Sequence, residues 1–198
     1  MLDGIPKYLG SLCSLETLYF DENSVVVKFL DFLDNLSGCT SLALKELDAS
    51  NSQFTGISEK LWELSGLELL DVSFNNLTVP STYHLSSLSY VKAIDLLSCK
   101  IVPHFPKWIQ TLKNLVVLDL SNTGISNTIP LKFWDMWASP LTYLNLSSNN
   151  ISGKVSDLSS YFADESIIIY LSSNSFNGPI LNVPSTLFIL NPSRNKFS

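Results

Sequence analysis

Residues 64–77 read LSGLELLDVSFNNL, with leucines at positions 64, 67, 70 and 77, a valine at 72 and an asparagine at 75. Leu70 and Val72 are two residues apart, the spacing that turns side chains of a β-strand to the same face. One such unit cannot bury its own leucines, and it therefore predicts neighbours of the same kind stacked against it.

The same frame recurs along the whole chain, most often at a step of 24 residues. The residues at the asparagine position of the copies are Asn23, Ser52, Asn75, Cys99, Thr123, Asn149, Asn174 and Asn195. Eight coils stacked about 4.8 Å apart would form one parallel sheet over a core of roughly 40 Å. The asparagine is expected to face inward and bond the turn backbone. Ser52, Cys99 and Thr123 would do this less completely, so their coils are predicted to be softer.

The segments between the strands carry variants of a Ser-Gly-x-Ile-Pro pattern. Examples are Gly56-Ile57, Val79-Pro80, Phe105-Pro106, Ile129-Pro130, Gly153-Lys-Val155 and Gly178-Pro179-Ile180. The pattern resembles the plant-specific extracellular leucine-rich repeat. This resemblance implies an α/β leucine-rich repeat solenoid, a curved right-handed superhelix with a parallel concave β-sheet. It also implies a second short strand on the flank and short helical or 3-10 turns, such as residues 59–64 and 107–112.

Three longer segments narrow the resemblance. They are NLSGCTSL at 35–42, CKIVPHFPKW at 99–108 and GISNTIPLKFW at 124–134, and the long step of 29 residues contains Cys39. These features resemble plant receptor-like proteins of the fungal-elicitor receptor type. The resemblance implies a cell-surface ectodomain that senses a protein or peptide ligand, with signalling through a co-receptor kinase and a role in plant defence.

The repeats predict a single domain over residues 1–198, containing about eight repeats. The chain starts in the second half of one repeat, stops in the middle of another and shows neither polar cap, so we expect a fragment. The segment has no signal-peptide pattern and no apolar run long enough for a bilayer. Membrane attachment is accordingly expected only through segments absent here.

Composition and charge exclude several other classes. The net charge of −6 and pI near 4.8 disfavour nucleic acid and anionic membranes, which are bound through Lys and Arg. His84 and His104, the only histidines, lie on separate repeats without a neighbouring Cys or carboxylate at ligand spacing. We therefore expect no metal, no cofactor and no enzymatic activity.

Candidate ligand contacts lie on the outward face of the predicted sheet. Four repeats place an aspartate there: Asp48, Asp71, Asp95 and Asp119. This acidic stripe either binds a basic ligand or only reflects the residue that is usual at this strand position in the repeat class. Other residues depart from the repeat and are predicted ligand contacts, because aromatic and Arg side chains are enriched in interfaces. They are Tyr19, Asp21, Glu22, Phe74, Leu97, Tyr143, Tyr170 and Arg194.

One position before each strand follows a different pattern. It carries charges of alternating sign at Glu16, Lys45, Glu68 and Lys92, which predict a charge ladder along one rim. It then becomes mostly apolar at Val116, Thr142, Ile167 and Phe188. With Val117, Ile168 and Ile189, this half is either structural or an association surface.

Glycosylation motifs and cysteines bear on the cellular compartment. The sequons start at Asn35, Asn76, Asn145 and Asn150 and favour secretion. Cys13 and Cys39 lie on neighbouring coils and form either a disulfide or two buried thiols, whereas Cys99 is read as a repeat residue.

Three other functions remain open at this stage. They are a secreted inhibitor of microbial cell-wall hydrolases, the ectodomain of a receptor kinase, and a cytoplasmic scaffold or solenoid-based enzyme. The irregular 29-residue step argues against the inhibitor, and glycans on Asn76 and Asn150 would exclude the cytoplasm.

Overall fold

The first strands of the repeats stack side by side into one parallel sheet of eight, here called the main sheet. This computed structural model describes residues 6–24, 26–57, 59–81, 88–102, 104–135, 141–158, 166–180 and 182–198. Each strand of the main sheet is called a rung and is numbered along the chain. Rungs 1 to 8 are Thr17–Tyr19, Glu46–Asp48, Leu69–Asp71, Ala93–Asp95, Val117–Asp119, Tyr143–Asn145, Ile167–Tyr170 and Leu187–Asn191.

The last-but-one residue of each rung points into the core. Leu47, Leu70, Ile94, Leu118 and Leu144 are all buried, and so are the residues that follow them two positions later. Burial of an aliphatic side chain of this size contributes about 1.5–3 kcal/mol. Two columns of aliphatic side chains thus run through all the inner coils and hold the rungs in line.

Second strands flank the core, as the proline-containing segments predict. One flank sheet has three strands, Thr55–Ile57, Asn76–Pro80 and Lys100–Val102. The other has four, Ser126–Thr128, Asn150–Gly153, Ser175–Gly178 and Lys196–Phe197. An isolated parallel β-bridge between His104 and Ser126 connects the two flank sheets. Pro80 ends its strand, where the missing backbone N–H costs no ladder bond.

Short helices close the coils. The helical turns predicted at 59–64 and 107–112 are confirmed as the 3-10 helices Glu59–Glu63 and Lys107–Thr111. A third 3-10 helix is Lys7–Ser11, and α-helices span Phe29–Asn35, Cys39–Ala43 and Leu131–Asp135. Phe29–Asn35 and Cys39–Ala43 occupy the long 29-residue step, so the extra residues add helix and leave the stacking of rungs 1 and 2 intact.

The inward asparagine ties each coil to its neighbour. The Asn75 amide nitrogen donates to the carbonyls of Ala49, Val72 and Ser73 at 2.8–3.1 Å. Its Oδ1 accepts the backbone N–H groups of Ser52 and Phe54 at 3.2 and 2.9 Å. Backbone groups buried at the turn therefore have partners, as buried polar groups require.

The substituted positions reproduce only part of this network. The Ser52 hydroxyl donates to Phe20 and Ser50, and it accepts the backbone N–H of Asn23. The Cys99 thiol donates to the Val72 carbonyl at 3.2 Å, and burial raises the pKa of this thiol to about 12. A serine hydroxyl or a thiol offers fewer donors than an amide, which is why these positions bind the neighbouring coil less completely.

Four phenylalanines fill the space between the first two coils. Phe20, Phe29, Phe32 and Phe54 have ring centroids 5.0–6.0 Å apart in five pairs. Four of the pairs are tilted or edge-on and the Phe29–Phe32 pair is stacked, geometries that aromatic rings favour. The cluster gives the irregular second coil an aromatic core.

The second coil also approaches the start of the chain closely. Cys13 and Cys39 form a disulfide, with their Cα atoms 4.9 Å apart. Nearby, a side chain at Gly10 would collide with the carbonyl oxygen of Ser37, and Gly38 has φ 110°, which favours glycine. Glycine is therefore required at both positions for the 3-10 helix Lys7–Ser11 to pack on this coil.

Candidate functional site

The last residue of each rung lies on the outer face of the main sheet and forms one aligned row, here called the outer row. Its members in rung order are Tyr19, Asp48, Asp71, Asp95, Asp119, Asn145, Tyr170 and Asn191. The acidic stripe predicted from the sequence is the central part of this row. Its carboxylates stand on adjacent parallel strands, whose spacing is about 4.8 Å.

Each aspartate of the outer row has a structural role in the turn that follows it. The Oδ1 atoms of Asp48, Asp71, Asp95 and Asp119 accept the backbone N–H two residues later at 2.8–2.9 Å. Asn145 and Asn191 make the same bond at 3.1 and 3.2 Å. An Asp or Asn at this position therefore caps its own turn, and an amide serves as well as a carboxylate.

Asp95 differs from its neighbours because leucine replaces the usual serine two residues later. The hydroxyls of Ser73 and Ser121 bond Asp71 and Asp119, whereas Leu97 offers Asp95 only its backbone N–H. Burial, with smaller contributions from the charges of Asp71 and Asp119, raises the pKa of Asp95 to about 7. Burial also raises the pKa of Asp71, while the hydroxyl and N–H of Ser73 oppose that effect.

Replacing Leu97 by serine is expected to bring the pKa of Asp95 clearly below 7, because a hydroxyl donor stabilises the carboxylate. Because the pKa of Asp95 is higher in the folded than in the unfolded protein, its protonated form contributes stability that is fully present below pH ~4. This contribution is lost as pH rises through about 7. NMR titration of the carboxyl carbons measures the change, with Asp95→Asn identifying the resonance. An unchanged titration in Leu97→Ser would show that the missing hydroxyl is not the cause.

The residue just before each asparagine position adopts the left-handed backbone conformation. In rung order these residues are Glu22, Asn51, Phe74, Ser98, Asn122, Ser148, Ser173 and Arg194, with φ between 48° and 64°. Asn is relatively tolerant of this conformation, but a bulky side chain is not. Phe74, which is 56% exposed, therefore occupies a position where an aromatic residue is unfavourable for the backbone.

The eight predicted ligand contacts do not converge on one site. Tyr19, Asp21 and Glu22 are exposed at rung 1, where the Tyr19 hydroxyl donates to Glu46 at 3.0 Å. Phe74 and Leu97 are neighbours, since the Phe74 N–H donates to the Leu97 carbonyl at 2.8 Å. Arg194 is exposed beyond rung 8, seven rungs from the first group and so roughly 34 Å away.

Tyr143 and Tyr170 form the only ring pair of the predicted contacts within the described part of the chain, with centroids 6.0 Å apart. The Tyr143 hydroxyl donates to Asp119 at 3.2 Å, and the Asn145 amide donates to the same carboxylate oxygen at 2.8 Å. Burial and the charge of Asp119 raise the pKa of Tyr143 to about 12. Two half-buried rings thus stand beside a bonded carboxylate on the outer face.

The predicted charge ladder forms on the rim before the rungs. Lys45 pairs with Glu16 at 2.8 Å and Lys92 with Glu68 at 2.6 Å. These pairs are exposed to solvent, which screens them, so they contribute little to stability.

Ile167 aligns with Thr142 in the strand register, as the sequence predicts. Its side chain is nevertheless buried on the same side as Ile169, so it adds no exposed apolar surface to the rim. A β-bulge lies between rungs 7 and 8, because Ile167 pairs with Leu187 and Ile168 with Ile189. Phe188 of rung 8 is the unpaired residue at this bulge, and its side chain is 72% exposed. Val116, Thr142, Val117, Ile168 and Ile189 are half-buried.

The four sequon asparagines differ in access. Asn76 and Asn150 are exposed and begin equivalent flank strands, each directly after an inward asparagine. Asn145 is half-buried, and its amide bonds Asp119 and Ser147. Asn35 is half-buried at the end of its helix. Access therefore favours Asn76 and Asn150 as glycan acceptors.

A shallow open depression of about 610 Å³ lies beside rungs 2 to 4. Its lining comprises Val26, Asn51, Gln53, Thr55, Phe74, Asn75, Asn76 and Ser98. Sequence reasoning singled out Phe74 and Asn76 separately and missed Asn51 and Ser98. Both precede an asparagine position, and that shared offset is the signal that would have identified them.

No group of three or more metal-ligating side chains occurs in the described ranges. His104 contacts the Asn127 amide at 2.6 Å, and His84 lies outside the described residues. Nor does any helix in those ranges have the length and apolar character to cross a bilayer.

Sequence comparison places this geometry among known repeats. The family model described as Leucine Rich Repeat matches residues 114–136 and 140–162. The chain is 40% identical over 135 residues to Receptor-like protein EIX2 of Solanum lycopersicum, covering 68% of the chain and 13% of that protein. It is 30% identical over 194 residues to Receptor like protein 22 of Arabidopsis thaliana, covering 96% of the chain and 24% of that protein. The chain thus spans a quarter or less of these relatives.

Solved structures share the same fold. A TDR receptor superposes with TM-score 0.73 and 29% identity, over 98% of this chain and 33% of that one. The ectodomain of the Arabidopsis receptor kinase HAESA with an extended IDA peptide hormone gives TM-score 0.76 and 26% identity, over 98% and 32%. A second HAESA structure, with IDA and the co-receptor SERK1, gives 0.73 and 21% over the same shares.

Proposed function

The chain belongs to the leucine-rich repeat receptor-like proteins of plants, and on that premise we propose that it is part of a ligand-recognition ectodomain at the cell surface. Residues 1–198 would form one stretch of its repeat domain. Its role is recognition of a protein or peptide, with signalling through a co-receptor kinase in defence. The receptor kinase HAESA supports this, since its structures contain a peptide hormone and a co-receptor.

The outer row is the observation that carries the proposal. Its side chains stand on eight paired strands but lie outside the two columns that fill the core. The core packing therefore does not fix which side chains the row carries, although Asp or Asn at these positions also caps its turn. At rungs 1 and 7 the row carries Tyr19 and Tyr170 instead of the turn-capping Asp or Asn, and tyrosine is enriched at binding surfaces.

The charge of the outer row indicates the chemistry of the ligand. The aligned carboxylates of the outer row create a negative potential, which is strongest above pH ~7 where Asp95 is ionised, and this potential attracts a basic segment. The nearby pair Tyr143 and Tyr170 offers apolar surface beside the Asp119 carboxylate. A peptide with cationic and apolar side chains fits this arrangement better than an acidic one.

Neutralising the outer row is the direct test. The triple variant Asp48→Asn, Asp71→Asn, Asp95→Asn removes three of the four carboxylates, and asparagine preserves the turn cap as it does at Asn145. Asp119 is left unchanged because it is buried and its carboxylate accepts hydrogen bonds from Ser121 and Asn145. We expect it to weaken binding of basic peptides to the full-length protein by ~10-fold or more, measured on arrays of length-matched basic and acidic peptides.

Asp31→Asn with Glu63→Gln is the matched control, because both carboxylates are exposed on helices away from the main sheet. It should leave binding unchanged. Equal binding of basic and acidic peptides, or no effect of the triple variant, would contradict the proposed ligand surface.

A further inference from the structure

Phe74 and the sequon at Asn76 are two residues apart and line the same depression. Phe74 is more than half exposed, and its backbone is left-handed at φ 54°. The equivalent residues at rungs 2, 4, 5, 6 and 7 are Asn or Ser. Folding does not require an exposed aromatic ring in this backbone conformation. Its position directly beside a sequon therefore points to another role.

The backbones of both residues are fixed by the neighbouring coils. The Phe74 N–H donates to the Leu97 carbonyl of the next coil at 2.8 Å. The Asn76 N–H donates to the Phe54 carbonyl of the preceding coil at 2.9 Å. Between them, the Asn75 side chain is buried and bonds three carbonyls and two N–H groups. The ring and the acceptor amide are thus held on one side of a rigid turn.

We propose that the Phe74 ring is a docking platform for the N-acetylglucosamine at the root of a glycan on Asn76, which would lie in the shared depression. This inference rests on the proposed function, because it requires passage through the secretory pathway. Asn76 Nδ2 bonds the anomeric carbon of the sugar, whose bond to a lipid-linked pyrophosphate breaks. The amide proton leaves with the released pyrophosphate.

The chemistry of the two partners is complementary. One face of a pyranose ring presents C–H groups, and the face of an aromatic ring carries negative charge density. An exposed phenylalanine also gains by covering its apolar surface. The depression is open and about 610 Å³ in volume, enough space for a sugar attached at its edge.

Rung 6 supplies an internal control. Ser148, Asn149 and Asn150 repeat the arrangement, with Ser148 at φ 58°. The Ser148 N–H donates to the Ser172 carbonyl and the Asn150 N–H to the Ile125 carbonyl, both at 2.9 Å. Asn149 likewise bonds three carbonyls and two N–H groups. At this sequon, serine replaces the aromatic ring.

Under this proposal the Phe74 ring contacts the glycan and is no longer one of the predicted contacts of the peptide ligand. A glycan seated there would cover Asn51 and Gln53 of the preceding coil and Ser98 of the next. The glycan would thus contact and stabilise the three coils that have Ser52, Asn75 and Cys99 at the asparagine position. The coils with Ser52 and Cys99 are the ones that form fewer hydrogen bonds to their neighbours.

The test compares glycan effects at Asn76 and Asn150 in the full-length protein purified from plant cells. Each glycan is trimmed enzymatically to its first N-acetylglucosamine or removed by Asn76→Gln or Asn150→Gln. Amide hydrogen exchange is followed in the adjoining coils. The sugar on Asn76 should slow exchange in residues 51–57 roughly two- to tenfold, the range of one aromatic contact.

Phe74→Ser should abolish that protection, and it should fold because serine already occupies the same conformation at Ser98, Ser148 and Ser173. Ser148→Phe should create protection of the coil preceding Asn150, where the native sugar gives none. Protection at Asn76 that survives Phe74→Ser would overturn the docking and leave the receptor assignment standing. Bare asparagines at both sites would overturn the docking and the secretory assignment together.

Discussion

Replacing Asn75 by alanine is expected to lower the free energy of unfolding by about 3–4 kcal/mol. The change removes the acceptor for the N–H groups of Ser52 and Phe54, and both residues are fully buried. A buried N–H without a partner costs about 1–3 kcal/mol. Three carbonyls on two coils also lose the donor that joins them.

Urea unfolding measures the total effect, and hydrogen exchange locates it. The amides of Ser52 and Phe54 should exchange much faster, whereas those of Thr123 and Ile125, bonded to Asn149, should not change. Asn177→Ala is the control, because Asn177 is an exposed asparagine on a flank strand. A loss below about 1 kcal/mol for Asn75→Ala would show that water replaces the amide without penalty.

Replacing Phe32 by alanine is the second change with a large expected effect, about 3–5 kcal/mol. Phe32 is fully buried, and its ring contacts Phe20, Phe29 and Phe54 at centroid distances of 5.0–5.7 Å. Truncation leaves a cavity in this aromatic cluster. The helix Phe29–Asn35 then loses one of its three buried side chains.

Chemical denaturation again gives the size of the effect, with Tyr90→Ala as the control because Tyr90 is 63% exposed. The control should stay within about 0.5 kcal/mol of the native protein. Phe32→Leu should lower the free energy of unfolding less than Phe32→Ala does, because leucine leaves a smaller cavity. Equal losses for Phe32→Ala and Tyr90→Ala would contradict the role of the aromatic cluster.

Repetition explains why so much of the fold follows from the sequence. In a stacked solenoid, a residue and its counterpart one repeat later are spatial neighbours, so the period of the sequence sets the tertiary contacts. The aligned rungs, the inward Asn75 and the flank strand Asn76–Pro80 follow from that period. The outer row follows too, because strand alternation turns Asp71 outward whenever Leu70 points inward.

The site was predicted less completely. The sequence marked Phe74, Leu97 and Tyr143 as departures from the repeat, and contact of Leu97 and Tyr143 with a ligand stays a prediction. It did not show that Leu97 leaves Asp95 without a hydroxyl donor, or that Asp95 is buried enough to raise its pKa to about 7. These effects depend on the solvent access of a side chain between two neighbouring rungs, which spacing alone does not report.

By itself, then, the sequence determined the repeat class, the stacking order and the inward and outward face of each rung, since these depend on period and alternation. Only the tertiary structure decided how the irregular parts were accommodated. Examples are the β-bulge between rungs 7 and 8, the packing of Phe32, the disulfide of Cys13 with Cys39 and the shared depression of Phe74 and Asn76. The physical reason is that each depends on side-chain volume and direction between coils of unequal length, where the repeat no longer fixes which atoms meet.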